Sequence, residues 1–305
     1  MAGIPFPQLR IGDGITAGAL TVFPLFLESR PKVSYQLLEQ ALSKHQVTVE
    51  ELGEGGSVPR LRVKNDSEDP VLLLEGQTLV GAKQNRTLNT TVLLKAKSTT
   101  TIPVACVEAG RWHYISRHFR TSDRHLNKGL LRVLKASVTR SLKARHGHSC
   151  DQGAVWDAIH DLHDRHYTRS VTGDLHDVYD QLAETIAEFR QRLKYIPDAC
   201  GLAVYLGNKI LSLDLFDAAE SCGVIWPQLI AGLTLDAATI QDAGQPATAE
   251  SVLDYWQQLT QWPWEPVDTV GIGQEYRVEV ERGDLGTALV YNDALVHLSV
   301  LGPSS

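Results

Sequence analysis

The chain has 305 residues, of which 43% are hydrophobic and 21% are charged, and its formal net charge is −7. This length allows a large hydrophobic core, and the composition is that of an ordinary globular protein. The negative charge argues against affinity of the whole protein for nucleic acid or for an anionic membrane.

The N-terminal third of the sequence is mostly strand-like. Residues 15–27 form an apolar run that is too short to span a bilayer and contains Pro24, so it is interpreted as a strand. Ser34 is predicted to cap a short helix with an apolar stripe between Leu37 and Leu42. Apolar or alternating runs predict strands at Leu20–Leu27, Val47–Val49, Leu61–Val63, Val71–Leu74, Val92–Ala96 and Ile102–Val107.

The pattern changes to helical periodicity after Trp112 and becomes mixed near the C-terminus. Helices are predicted over Leu126–Val138, Leu175–Leu193, Trp226–Ala237 and Val252–Leu259. Hairpins are predicted with turns at Gly207–Lys209 and at Asn292-Asp293. The sequence therefore predicts an α+β fold, with a β-rich region 1–112, a helical region 113–195 and a mixed region 196–305 within one integrated domain.

The four cysteines, Cys106, Cys150, Cys200 and Cys222, are widely spaced and form no CxxC pair. This spacing argues against a zinc site or a disulfide framework, so a reducing cytoplasm is the expected location. No membrane partner is expected.

Long polar side chains are concentrated where two predicted strands end. Glu75 follows the strand Val71–Leu74, and Glu108 follows Ile102–Val107. Buried strands rarely carry such groups unless the groups meet each other or a ligand. The candidate ligand-binding residues around them are Gln77, Lys83, Gln84, Asn85, Arg86, Arg111 and Trp112.

Each residue type in this cluster suits a particular task in a polar pocket. The two carboxylates are candidate acid/base catalysts or ligands of a divalent cation. Arg86 and Arg111 suit phosphate or carboxylate, and Trp112 offers a plane for stacking. In the alternative interpretation, Glu75–Arg86 and Glu108–Arg111 are salt bridges that only stabilise the strand ends.

The segments EGQTLVGAKQNR (75–86) and PVACVEAGRW (103–112) resemble a known bacterial family. It is the family of the ADP-ribosylglycohydrolase-and-rhodanese-phosphatase-superfamily-associated protein domain. The resemblance continues through GLAVYLGNKILSLDLFD (201–217) and ALVYNDALVHLSVL (288–301). The family name implies a connection with ADP-ribose, NAD or RNA-damage metabolism, and no catalytic residue is carried over from it.

Three further groups of residues are candidates for chemistry. Asp214 and Asp217 follow a predicted strand. Asp217 is interpreted as the cap of the next helix, and for Asp214 both a structural role and a role in a ligand or metal site are retained. A second group consists of Asp157, His160, Asp161, His163, Asp164 and His166. Four of them (Asp157, His160, Asp161 and Asp164) follow helical spacing and share one face, and the group is interpreted as a solvated acidic face with scattered histidines rather than a metal site. Residues 111–148 are basic, with a stripe of Lys128, Arg132, Lys135 and Lys143. This stripe is a soluble helix face, a partner for the acidic helices downstream, or a contact for nucleotide or RNA phosphates.

The leading hypothesis is a hydrolase-like enzyme for a phosphate-bearing nucleotide or ADP-ribose derivative, with Glu75 and Glu108 as its catalytic residues. A divalent cation is its candidate cofactor, and a small phosphate or nucleotide ligand is favoured over nucleic acid as its partner. The alternatives are a non-catalytic module that binds the same ligand and a structural or interaction protein. The sequence does not set the oligomeric state.

Overall fold

Strands dominate the N-terminal half of the protein, and the fold class is α+β, as predicted. The computed structural model describes residues 3–29, 33–53, 56–57, 59–240 and 244–303. The strands are β1 (Leu9–Ile11), β2 (Ile15–Ala17), β3 (Leu20–Leu27), β4 (Gln36–Leu37), β5 (Val47–Glu51), β6 (Arg60–Asn65), β7 (Val71–Leu73), β8 (Gln77–Gly81), β9 (Arg86–Leu88), β10 (Val92–Leu94), β11 (Ser98–Cys106), β12 (Phe119–His125), β13 (Gly201–Leu206), β14 (Lys209–Phe216), β15 (Glu265–Val267), β16 (Gln274–Glu279), β17 (Leu285–Tyr291) and β18 (Ala294–Leu301). The helices are α1 (Leu38–Ser43), α2 (Lys128–Lys143), α3 (Gln152–Arg165), α4 (Leu175–Gln181), α5 (Ala183–Arg192), α6 (Ala219–Ala237) and α7 (Ala249–Thr260).

The chain forms two compact units that interleave in sequence. Unit 1 comprises residues 1–33, 184–267 and 273–305, and unit 2 comprises residues 34–183 and 268–272. These boundaries differ from the three consecutive regions of the sequence analysis. The difference arises because strand pairing joins distant segments, as when β3 pairs with β13.

Unit 1 is built on a nine-stranded antiparallel sheet. Its order is β1-β3-β13-β14-β18-β17-β16-β15, and β2 pairs with β3. Side chains alternate along each strand, so one face collects Phe23, Leu213, Leu298 and their neighbours into a core against α7. Both predicted hairpins are present in this sheet.

Unit 2 contains two smaller sheets around a second core. The six-stranded sheet has the order β12-β8-β9-β11-β6-β5, and the three-stranded sheet has the order β10-β7-β4. Alternation along β5 and β11 directs Val47, Val49, Ile102 and Val104 into the core, where they pack with Leu38 of α1. This arrangement brings the ends of β5, β8, β9 and β11 into one sheet.

Two local predictions were wrong. Ser34 does not cap α1, because Gln36–Leu37 is extended and pairs in parallel with β7. Leu37 is the N-cap instead, and its N–H donates to the Gln40 side chain. The predicted helix over Leu175–Leu193 is interrupted at Leu182 between α4 and α5. Its apolar periodicity continues across the interruption, so the pattern alone does not show it.

Among the residues that the structure describes, none of the helices combines the length and the apolar character that a membrane-spanning segment needs.

Candidate functional site

The predicted cluster is organised by the four-residue turn that joins β8 to β9. This turn, Ala82–Asn85, presents Lys83, Gln84 and Asn85, and Ala82 adopts a left-handed conformation with φ of 42°. Such a conformation is uncommon for alanine and persists only when the surroundings hold it. The Ala82 carbonyl accepts hydrogen bonds from Arg111 Nη1 at 2.7 Å and from the Ile115 N–H at 3.1 Å. Arg111 therefore holds the turn in place.

Arg111 also chelates Glu108. Its Nε donates to Glu108 Oε1 at 2.8 Å, and its Nη2 donates to Oε2 at 2.6 Å. The Asn85 N–H and the Thr172 hydroxyl each donate to the same carboxylate at 3.1 Å. Since both side chains of the pair are buried and every carboxylate oxygen is bonded, Glu108 is held as a fixed acceptor at the base of the cluster.

Asp174 extends this network to a histidine. Asn85 Nδ2 donates to Asp174 Oδ2 at 2.7 Å, and His176 Nδ1 and its backbone N–H lie 3.0 Å from Asp174 Oδ1. Burial by itself would raise the pKa of Asp174, but the hydrogen bonds and charge of His176 outweigh it and lower that pKa below its usual value. Asp174 is therefore a stable anion. Through Asn85 it holds the end of the turn Ala82–Asn85 that lies opposite to Ala82.

Glu75 belongs to a different ion pair. Its Oε2 lies 2.8 Å from Lys135 Nζ, and neither side chain is exposed by more than 1%. Gln77 donates to Glu39 Oε1 at 2.5 Å. The structure thus pairs Glu75 and Glu108 with different cations, and the predicted Glu75–Arg86 bridge is replaced by Glu75–Lys135.

Arg86 is fully buried beside Cys106, its cross-strand partner on β11. Gln84 Oε1 joins the two residues, because it accepts from Arg86 Nη1 and from Cys106 Sγ, each at 3.0 Å. Burial raises the pKa of Cys106 to about 11, so this residue is a thiol at neutral pH. Burial also lowers the pKa of Arg86, and the guanidinium stays charged at neutral pH.

The remaining donors of Arg86 face a second buried charge, Glu51, at the end of β5. Arg86 Nη2 lies 3.6 Å from Glu51 Oε1, which is close enough for charge attraction but too long for a hydrogen bond. Within the part of the chain that the structure describes, Arg86 Nε and Nη2 and both Glu51 oxygens have no hydrogen-bond partner. Buried charged groups are normally paired and hydrogen-bonded, so this pair is incomplete.

Aromatic rings and a lysine complete this group. Lys83 Nζ lies 5.3 Å from the ring centroid of Trp112 and 5.0 Å from that of Tyr114, and Arg86 Cζ lies 5.7 Å from the Trp112 ring. Both rings are nearly half exposed, at 45% and 48%. We call Glu51, Lys83, Arg86, Trp112 and Tyr114 the basic aromatic site.

Gly56 marks the point on which this site converges. A β-carbon on Gly56 would lie 3.3 Å from Glu51 Oε2 and 3.4 Å from both Lys83 Cδ and Trp112 Cζ2. Three of the site's side chains therefore surround one small volume. An anionic, partly aromatic ligand matches its cations and its exposed indole.

Sequence reasoning missed Glu51, Lys135, Asp174 and His176 as parts of these networks. A signal for Glu51 was present, since Val47, Val49 and Glu51 alternate with half-buried positions and therefore share the buried face of β5. Asp174 precedes α4 and caps it through its side chain. No local pattern connects Lys135 with Glu75, because the two lie on separate elements.

The other candidate groups have simpler explanations in the structure. In the described ranges, no group of three or more His, Cys, Asp or Glu side chains is arranged to hold a metal ion. Asp217 is not the cap of α6, because α6 begins at Ala219 with Ala218 as its N-cap. The basic stripe is only partly solvated, since Lys128 and Lys135 are buried while Lys143 is exposed.

The chain belongs to the family of the ARG and Rhodanese-Phosphatase-superfamily-associated Protein domain, whose model matches residues 8–301. The name associates this family with ADP-ribosylglycohydrolase and rhodanese-phosphatase families. No curated protein and no solved structure matches the chain.

Proposed function

We propose that the protein binds a phosphate-bearing nucleotide or ADP-ribose-type ligand at the basic aromatic site. The observation that carries this proposal is the incomplete pair of Arg86 and Glu51, which are buried without their full hydrogen bonds. Each unsatisfied buried polar group costs about 1–3 kcal/mol, and a charged group costs more. A ligand that supplies acceptors to Arg86 and donors to Glu51 would recover this free energy.

Phosphate and ribose match these two needs. A phosphate oxygen accepts from the guanidinium, with Lys83 as a second cation, while a sugar hydroxyl donates to a carboxylate. The half-exposed Trp112 and Tyr114 rings give a base or sugar a surface beside the cations. The choice of an ADP-ribose-type ligand follows the family name; the side chains themselves favour a phosphate and a flat or polyhydroxylated group.

Hydrolysis of this ligand is the second candidate function, and the unbonded carboxylate of Glu51 favours it. A general base must reach the water whose proton it accepts, and it must have a free oxygen for that proton. Glu75 and Glu108 are held by Lys135 and Arg111, so acid/base work by either one requires its ion pair to open. Glu51 lies 3.6 Å from Arg86 Nη2, but neither of its oxygens accepts a hydrogen bond that would have to break first. We therefore place Glu51 ahead of the two predicted glutamates as the base.

The cytoplasm is the location that we propose for this protein. None of the four cysteines is in a disulfide in the part of the chain that the structure describes, and Cys106, Cys200 and Cys222 are buried. Free cysteines are usual in reducing compartments.

The binding proposal is tested by thermal shift and calorimetry with ADP-ribose, NAD, ADP and inorganic phosphate. At a ligand concentration 100 times Kd, about 2.7 kcal/mol of stabilisation is expected. Arg86→Met should abolish the shift, and Trp112→Ala should weaken binding by about 1–3 kcal/mol if a base stacks on the indole. Arg62→Met is the matched control, because Arg62 is an exposed arginine that pairs with Glu50.

The proposal fails if none of these ligands stabilises the protein or if Arg86→Met binds as tightly as the wild type. If one of these ligands binds, turnover of that ligand is measured by product analysis. Glu51→Gln should keep binding and lose turnover, whereas equal turnover in Glu51→Gln would remove Glu51 as the base. Binding without turnover would leave the protein as a binding module.

A further inference from the structure

Unit 2 contains a cavity of about 410 Å³ between α3 and the segment Thr168–Gly173. Its lining includes none of the residues of the basic aromatic site. Ligand pockets usually measure about 300–1,000 Å³. This space, which is open to solvent on the side of its exposed residues, is therefore large enough for a small ligand.

One wall of the cavity is a face of α3. Trp156, Ile159 and His163 are spaced by three and four residues, so they project from the same side of the helix. Trp156 is 37% exposed, while Ile159 is buried. Ala109 also lines the cavity. Together the indole, Ile159 and Ala109 give an apolar surface suited to a flat ring.

The opposite wall is held rigidly by hydrogen bonds. The Gly110 N–H donates to the Thr172 carbonyl at 2.7 Å, and the Asp174 N–H donates to the Ser170 hydroxyl at 2.8 Å. The Gln181 side chain bonds both the N–H and the carbonyl of Arg169, at 3.2 and 2.9 Å. Because the segment is fixed at several points, the cavity is built into the fold rather than left by a loose loop.

Polar groups stand around this apolar surface. His163 is buried and fixed, with Nδ1 2.8 Å from the Thr168 hydroxyl and Nε2 3.1 Å from the Asp174 carbonyl. The exposed residues His160, Asp164 and Arg169 line the same cavity. They offer donors and acceptors for the edge of a ring and one guanidinium for an anion.

We propose that this cavity is a second ligand site, and that it binds a purine nucleotide with its base against Trp156 and its phosphate on Arg169. The base suits the indole because every base has a face that stacks on an aromatic ring. Asp164 accepts from an amino group or a ribose hydroxyl. The inference does not depend on the proposed function, since the two sites share no residue.

Calorimetry with AMP, adenosine and ribose 5-phosphate tests this proposal on the full chain. AMP should bind more tightly than adenosine, and ribose 5-phosphate should bind most weakly. Trp156→Ala should weaken AMP binding by about 5- to 150-fold, while Trp156→Phe should retain most of it. Tyr167→Ala is the matched control, because Tyr167 is an almost fully exposed aromatic residue that follows α3 and does not line the cavity.

Titration of the Arg86→Met variant separates the two sites. AMP binding that survives Arg86→Met, and that is weakened when Trp156→Ala is added to that variant, supports the cavity. The proposal is overturned if Trp156→Ala binds AMP as Tyr167→Ala does, if ribose 5-phosphate binds as tightly as AMP, or if Arg86→Met alone removes the binding.

Discussion

Replacing Arg111 with methionine should strongly destabilise unit 2. Arg111 donates six hydrogen bonds: two to Glu108, one to Asn85 Oδ1, and three to the carbonyls of Gly81, Ala82 and His113. The substitution replaces the apolar stem of the side chain but removes the guanidinium, so it leaves the Glu108 carboxylate buried without its cation. Removing one partner of a buried ion pair typically costs about 3–5 kcal/mol.

This loss is large enough to measure directly. For a unit of this size, 1 kcal/mol corresponds to about 2–4 °C, so a fall in melting temperature of about 6–20 °C is expected. Urea unfolding followed by circular dichroism and tryptophan fluorescence gives the free energy. The double variant Glu108→Gln with Arg111→Met should recover part of the loss, because it removes the unpaired charge.

Arg62→Met is again the control, since the exposed Arg62–Glu50 pair should contribute at most about 1 kcal/mol. The reasoning is refuted if Arg111→Met costs no more than this control. That outcome would mean that the Glu108 carboxylate keeps adequate solvation or partners without Arg111, and that the turn Ala82–Asn85 holds its shape by other contacts.

Three further outcomes are expected. Lys135→Met should lower the free energy of unfolding by about 3–5 kcal/mol, because it leaves Glu75 buried without this cation; a change below 1 kcal/mol in urea unfolding would contradict this. Because the pKa of Asp174 is lower in the folded state than its unfolded value of about 4, ionised Asp174 contributes its full stabilisation above that pH. This contribution is lost as the pH falls through the folded pKa, so the stability difference between wild type and Asp174→Asn should shrink below about pH 4. A difference that stays constant down to pH 2 would refute this assignment. Cys106, with a pKa of about 11, should resist iodoacetamide at pH 8 in the folded protein and react in urea, as read by mass spectrometry; rapid labelling of the native protein would contradict its burial.

Periodicity, turn chemistry and motif content were sufficient for much of the fold. The last hairpin is an example, because Asn292 and Asp293 adopt φ of 49° and 58°, the left-handed values that Asn and Asp tolerate in a two-residue turn. The α+β class and the family also followed from the sequence. In the candidate site, the sequence placed Gln84, Asn85, Arg86, Glu108 and Arg111 in one cluster, and the structure connects them through hydrogen bonds.

Only the tertiary structure decided which charges are paired and which are incomplete. Alternation along β5 assigns Glu51 to a buried face. Only the folded sheet shows that this face meets Arg86, which lies 35 positions further along the chain. In the same way, Glu75 pairs with Lys135, which lies 60 positions further along the chain, and not with Arg86 as the sequence suggested. Charge attraction depends on distance in space, whereas a sequence pattern reports only which face of its own strand or helix a residue occupies.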